Sequence, residues 1–300
     1  MLCNTPPLYA NLMAVEPRRL STMFRTSRLL CALLLVASAA GCAKLVYNRL
    51  DSLAAWYVGN LVSLDDRQSS DLRAWLAQTL EWHRESELGR YATFLRELSG
   101  EVARPSNRAA YQRMSDQVEG FVADFAAQTA PQATRLLLEL TPAQVEEFLA
   151  NLEEKSNERS ADALQEIRKG TWQANRIKAT QRQLKRWTGA ITEEQKLLVR
   201  ETSQQIQPTT EEWLESQRQW RTALRDAFSN RGTAEERILQ LLREPDSQWT
   251  EQYKTKEASN REQVLLLLTA LDASLTSAQR EHMQRELTDL AERLEALTEE

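Results

Sequence analysis

The sequence contains little glycine and proline. Only 8 Gly and 8 Pro occur in 300 residues, whereas the tight turns of strand-rich and doubly wound proteins depend heavily on both residue types. The strong helix formers Glu, Gln, Arg, Leu and Ala are abundant instead. The composition therefore predicts an all-α fold, which we expect to be an elongated bundle of long antiparallel helices.

Cysteine is absent after position 42. Cys3, Cys31 and Cys42 are the only three, so the remainder of the chain can form no disulfide, thiolate metal site or cysteine nucleophile. The chain also lacks a glycine-rich phosphate loop, a G-x-S-x-G turn and an H-E-x-x-H motif. We therefore predict no catalytic residue, no metal, no cofactor and no enzymatic activity.

A basic excess is also missing. The 38 Lys and Arg residues are outnumbered by 43 Asp and Glu residues, which gives a net charge of −5. Proteins that bind nucleic acid usually carry a clear positive excess. The charge balance therefore indicates no nucleic-acid partner.

Residues 23–42 have the pattern of an export signal. Arg25 and Arg28 precede an apolar run over residues 29–37, and small residues follow at 38–41. The run is too short to span a bilayer as a permanent helix. We expect a signal peptide over residues 1–41, with Met23 as its true start, and a helical periplasmic body over residues 42–300.

The end of this signal resembles the lipobox of bacterial lipoproteins. The residues are Ala39-Ala40-Gly41-Cys42, and the resemblance implies cleavage between Gly41 and Cys42 with acylation of Cys42, including palmitate. Two or more acyl chains anchor a protein stably, so the implied partner is the membrane. An Ala rather than Asp at position 43 implies an outer-membrane, periplasm-facing lipoprotein rather than an inner-membrane one. An ordinary secretory signal with an incidental Cys is the alternative.

The first segment after Cys42 has an amphipathic pattern. Val46, Leu50, Leu53 and Tyr57 fall on one helical face. Because basic residues are few here, the pattern favours packing on the body over lying on the membrane surface.

Helical spacing of apolar residues continues along the chain. It predicts a helix over residues 65–98 and another over 107–127 that Pro131 interrupts. Residues 141–187 form a long polar stretch with Gly170 as a kink, and sparse apolar positions favour an extended arm. We expect residues 153–262 to form a polar arm subdomain.

Four short segments have the pattern of a capped helix start. In each, a Thr or Asp can accept hydrogen bonds from the first free backbone N–H groups, and a Gln three residues later can bond back to it. The segments are Leu64–Gln68, Leu140–Gln144, Ile191–Gln195 and Leu275–Gln279. The L-T-x-x-Q form also resembles the periplasmic Spy-like chaperones, which implies binding of unfolded clients, although capping alone explains each copy.

A second resemblance covers residues 42–98. Tyr47 to Asp51, Trp56-Tyr57 and Trp82-His83-Arg84 look like an uncharacterised family of Gram-negative lipoproteins with a domain of unknown function after the lipidated Cys. This resemblance implies no assigned activity.

His83 and Glu87 lie four residues apart on one predicted helix. They could form a metal or acid–base pair, but a catalytic zinc site commonly needs three protein ligands. We favour a partly buried, hydrogen-bonded pair.

Tryptophan is plentiful, with 8 residues. Trp dominates the energy of many interfaces, so some of these residues could form a face for a protein partner or client, although mutual packing inside a bundle explains them equally well. The candidates are Trp172, Trp187, Trp213, Trp220 and Trp249. The resulting hypothesis is a membrane-anchored helical binding or scaffolding module, with a chaperone-like activity as one form of it and a purely structural envelope subunit as the alternative.

Overall fold

In a computed structural model, which describes residues 42–230 and 232–299, the chain is all-α. This confirms the fold class expected from composition. The helices are α1 (Cys42–Tyr47), α2 (Leu50–Gly59), α3 (Asp66–Trp82), α4 (Leu88–Glu101), α5 (Arg108–Leu138), α6 (Pro142–Arg168), α7 (Trp172–Thr188), α8 (Glu193–Gln205), α9 (Thr210–Ser229), α10 (Ala234–Arg243), α11 (Glu251–Ala273) and α12 (Ser277–Glu295). A π-helical turn, His83–Glu87, joins α3 to α4, and a 3-10 turn, Pro245–Gln248, precedes α11.

Within the described part of the chain, four apolar clusters hold the helices together. The central core joins α5, α6, α9 and α10 around Leu149, Leu224 and Ile238. The terminal core joins α4 to α12 around Leu88 and Leu290. The third core lies between α8 and α11, and the amino-terminal core lies between α2 and α3.

Helices α4 and α12, far apart along the chain, meet in the terminal core. Besides the apolar contacts, Arg96 binds the Glu295 carboxylate through two hydrogen bonds of 2.8 and 2.6 Å. The buried Arg280 guanidinium donates to the Val102 carbonyl and pairs with buried Asp272 at 2.8 Å. Helix α12 is therefore part of the core and not an appendage.

Pro131 does not end its helix, contrary to the interruption predicted from the sequence. Helix α5 runs through it to Leu138. Ala126, Ala130 and Thr134 on either side of the proline are buried. Packing of these turns against the rest of the molecule outweighs the cost of about 3 kcal/mol that an internal proline carries.

Gly170 ends a helix and does not merely kink one. Its φ of +66° lies in the left-handed region, which glycine reaches without steric cost, and it separates α6 from α7.

The predicted polar arm, residues 153–262, begins inside α6 and supplies Trp220, Leu224 and Leu241 to the central core. Much of this segment is therefore packed against the preceding helices.

The first segment follows its predicted pattern only in part. Leu50 packs on the terminal core and Tyr57 on the central core, as expected for packing on the body. Val46 and Leu53 are exposed instead, so the prediction is wrong for them. The helix is interrupted at residues 48–49, and this break changes which residues face inward.

Candidate functional site

All four predicted helix starts are capping boxes. Asp65, Thr141, Thr192 and Thr276 each accept a hydrogen bond from the backbone of the Gln three residues later, and that Gln bonds back to the cap. Each box satisfies donors that a helix start would otherwise leave free. The prediction of capped starts is confirmed.

The boxes also pair with one another, which the sequence did not predict. Gln144 Nε2 donates to Gln68 Oε1 at 2.7 Å, and Gln195 and Gln279 exchange hydrogen bonds of 3.0 and 2.9 Å. The members of the first pair lie 76 residues apart along the chain, and those of the second pair lie 84 residues apart. The motif therefore joins distant helix starts in addition to capping its own.

Each motif Gln makes one further bond to its partner's loop. The amide nitrogen donates to the carbonyl two residues before the partner's cap: Gln68 to Glu139, Gln144 to Ser63, Gln195 to Ser274 and Gln279 to Ala190. The same bonding pattern thus occurs in both halves of the chain. These bonds account for the glutamines structurally, without any bound client.

His83 lies in a buried aromatic environment. Its Nδ1 is 3.0 Å from the Tyr47 hydroxyl, and the rings of Tyr91 and Phe125 pack against it edge-on at 5.5 and 5.9 Å. Burial lowers the pKa of His83 to about 4. The imidazole is therefore neutral near pH 7.

Glu87 does not pair with His83. Its buried carboxylate instead accepts two hydrogen bonds from Arg90, at 2.8 and 3.0 Å. Arg90 also donates a hydrogen bond to the Asp124 carboxylate. In the part of the chain that the structure describes, no group of three His, Cys, Asp or Glu side chains is placed to hold a metal ion. His282, the other histidine, lies near Arg186 and Glu286.

The five candidate Trp residues lie against different parts of the interior. Trp220 is buried and donates from Nε1 to the Leu241 carbonyl at 3.1 Å, and Trp213 is buried too. Trp172 packs on the third core and Trp187 on the terminal core, while Trp249 stacks edge-on against Tyr253. Packing thus accounts for the buried two, and a binding role for the three half-buried ones stays a prediction.

The two most exposed large apolar side chains among the described residues, Leu45 and Trp56, follow Cys42 instead. Leu45 is 71% exposed, Val46 38%, Leu53 45% and Trp56 52%, four of the seven large apolar side chains that are exposed among the described residues. We call these four residues the amino-terminal apolar face. Sequence periodicity pointed to this segment but assigned Val46 and Leu53 to the interior.

Cys42 begins helix α1. The predicted signal peptide and Gly41 lie outside the described residues, so the cleavage between Gly41 and Cys42 stays a prediction. No helix in the ranges 42–230 and 232–299 combines the length and the apolar character that crossing a bilayer requires.

Comparison with known proteins gives one family. A family of unknown function, DUF6279, matches residues 60–254, which is nearly two thirds of the chain. Neither a curated protein nor a solved structure matches significantly. The expectation of an uncharacterised family is confirmed: the chain belongs to the family of unknown function DUF6279.

Proposed function

We propose that this protein is a periplasm-facing lipoprotein of the outer membrane, anchored through Cys42, whose helical body binds or scaffolds another envelope protein without catalysing a reaction. The observation that carries the proposal is the amino-terminal apolar face, which begins three residues after the lipidation candidate. An acyl anchor at Cys42 would hold this face at the lipid surface.

The apolar face has the character of an interfacial segment. Leu and Trp side chains bury readily at the boundary between headgroups and acyl chains, and Trp is favoured there because its ring is amphipathic. Arg49 is exposed beside these residues and can reach a lipid phosphate. Contact with lipid would remove apolar area from water that the fold leaves exposed.

Labelling with a radioactive fatty acid in a Gram-negative host tests the anchor. The wild-type chain should incorporate label and fractionate with the outer membrane, whereas Cys42→Ser should be unlabelled and unprocessed or soluble. Cys31→Ser is the matched control and should behave as wild type. Persistent labelling of Cys42→Ser would refute the anchor.

Quenching by brominated lipids tests the apolar face separately. The purified lipoprotein in vesicles should lose part of its Trp emission, and Trp56→Phe should remove most of the quenchable part. Trp249→Phe, which alters a ring packed on Tyr253, should leave the quenchable part unchanged. Equal quenching in wild type and Trp56→Phe would mean that the protein is anchored with this face directed elsewhere.

The role of the body is tested by purification from detergent-solubilised envelopes. A scaffolding module should bring down one defined partner in a constant ratio. A chaperone-like module should instead slow the aggregation of an unfolded test protein, with a shift in Trp emission. If the body shows neither behaviour and the protein turns over a substrate, the non-catalytic proposal is overturned.

A further inference from the structure

A cavity of about 120 Å³ lies between the amino-terminal and central cores. Helices α2, α3, α5, α6, α9 and α10 all contribute to its wall, which is mainly apolar. Representative lining residues are Val58, Leu61, Trp75, Leu137, Phe148 and Leu152. Most ligand sites have this character, an apolar wall with a few polar groups that fix the ligand's orientation.

Two polar side chains in the wall, Arg159 and Tyr57, are hydrogen-bonded to each other and can both donate to a ligand. Arg159 on α6 donates from Nη2 to the Tyr57 hydroxyl on α2 at 2.7 Å. Arg159 Nη1 is buried and has no hydrogen-bond partner among the described residues. A buried guanidinium donor without a partner is costly, and an anionic oxygen is the group that best satisfies it.

The other charged group in the wall is already neutralised. The Glu139 carboxylate pairs with Arg67 at 2.7 Å, and Gln68 is committed to its bonds with Gln144 and the Glu139 carbonyl. The positive charge of Arg159 is therefore the one that the wall leaves available. A ligand complementary to this wall would carry a single negative charge on an otherwise apolar molecule.

We propose that this cavity binds a small apolar carboxylate, with its hydrocarbon part among the leucine side chains and its carboxylate on Arg159 and Tyr57. The Tyr57 hydroxyl accepts from Arg159 and keeps its own hydrogen to donate. The carboxylate would thus receive one charged and one neutral hydrogen bond. This site is independent of the proposed membrane anchor.

The size of the cavity limits the ligand class. Apolar cavities of about 150 Å³ in proteins take up benzene. The volume here, about 120 Å³, is smaller, so the hydrocarbon part of the ligand can be at most one aromatic ring or a short aliphatic chain, and a full-length acyl chain is too large.

Titration calorimetry with the purified full chain tests the proposal. Benzoate and hexanoate are the probes, and benzyl alcohol and hexanol are their neutral counterparts. We expect saturable carboxylate binding at least tenfold tighter than that of the alcohols, because only the carboxylate satisfies Arg159. Absence of saturable carboxylate binding, or equal affinity for acid and alcohol, would overturn the proposal.

Substitutions locate the site. Arg159→Gln should weaken benzoate binding at least tenfold and leave benzyl alcohol binding unchanged, whereas Ala133→Leu, which fills the cavity, should reduce both. Arg168→Gln is the matched control, since Arg168 lies on the same helix, is exposed and does not line the cavity. If Arg159→Gln impairs folding, Tyr57→Phe provides the same comparison. Unchanged benzoate affinity in a folded variant of either residue would also refute the site.

Discussion

At the scale of single residues, His83 shows how burial turns a potential ligand into a structural side chain. The ring is 3% exposed and surrounded by aromatic rings on α1, α4 and α5. Glu87, the suspected partner, is held by Arg90. A helical spacing of four places two residues on one side of a helix, but each side chain then takes the partners that the neighbouring helices present.

The depressed pKa of His83 predicts acid sensitivity. Between pH 6.5 and 4 the unfolded chain takes up a proton at this residue that the folded chain does not, so stability falls as the pH falls through this window. The contribution is up to about 3 kcal/mol. In urea titrations at pH 7 and 4.5, His83→Gln should lose less stability on acidification than the wild type.

His282→Gln is the control for this comparison. Replacing His282, whose side chain is partly exposed, controls for the loss of a histidine outside the buried aromatic environment of His83. A pH dependence in His83→Gln equal to that of the wild type would show that His83 is not the titrating group.

At the scale of helices, the paired capping boxes determine how distant helix starts meet. The Gln195–Gln279 pair is buried, and each amide has its partner in the other helix start. Gln195→Ala should cost about 1–3 kcal/mol because it leaves buried groups unsatisfied. The double variant with Gln279→Ala should cost clearly less than the two single losses together, since both disrupt one network.

Chemical unfolding of the four proteins in this cycle gives the coupling energy. Gln68 and Gln144 provide the comparison: Gln144 is only half-buried, so water can replace more of its lost bonds and the effect should be smaller. Strictly additive losses at Gln195 and Gln279 would mean that capping, and not pairing, is the glutamines' main contribution.

At the scale of the whole molecule, the terminal core makes the last helix essential. Leu287, Leu290 and Leu294 of α12 are buried against α4, and burying each contributes about 1.5–3 kcal/mol. Their sum is comparable with the usual stability of a domain, about 5–15 kcal/mol. A chain ending at residue 275 should therefore lack a cooperative thermal transition.

Circular dichroism on heating tests this expectation. A chain ending at residue 297 keeps all of α12 and the buried Leu297, and it should unfold as the full chain does. A sharp transition near the wild-type temperature in the shorter truncation would show that the rest of the chain folds without α12.

The sequence by itself determined the features that depend on neighbours along the chain. Scarce Gly and Pro, 3–4 spacing and helix starts with Thr or Asp three residues before a Gln are local signals, and they predicted the all-α class and all four capping boxes. The tertiary structure decided what depends on contacts between distant residues: the pairing of the Gln side chains, the passage of α5 through Pro131, and the exposure of Val46 and Leu53. It also brought Tyr57 and Arg159, 102 residues apart, to one cavity wall. The reason is physical: local spacing fixes which side of a helix a residue occupies, whereas burial and hydrogen-bond partners are set by the helices that pack against that side.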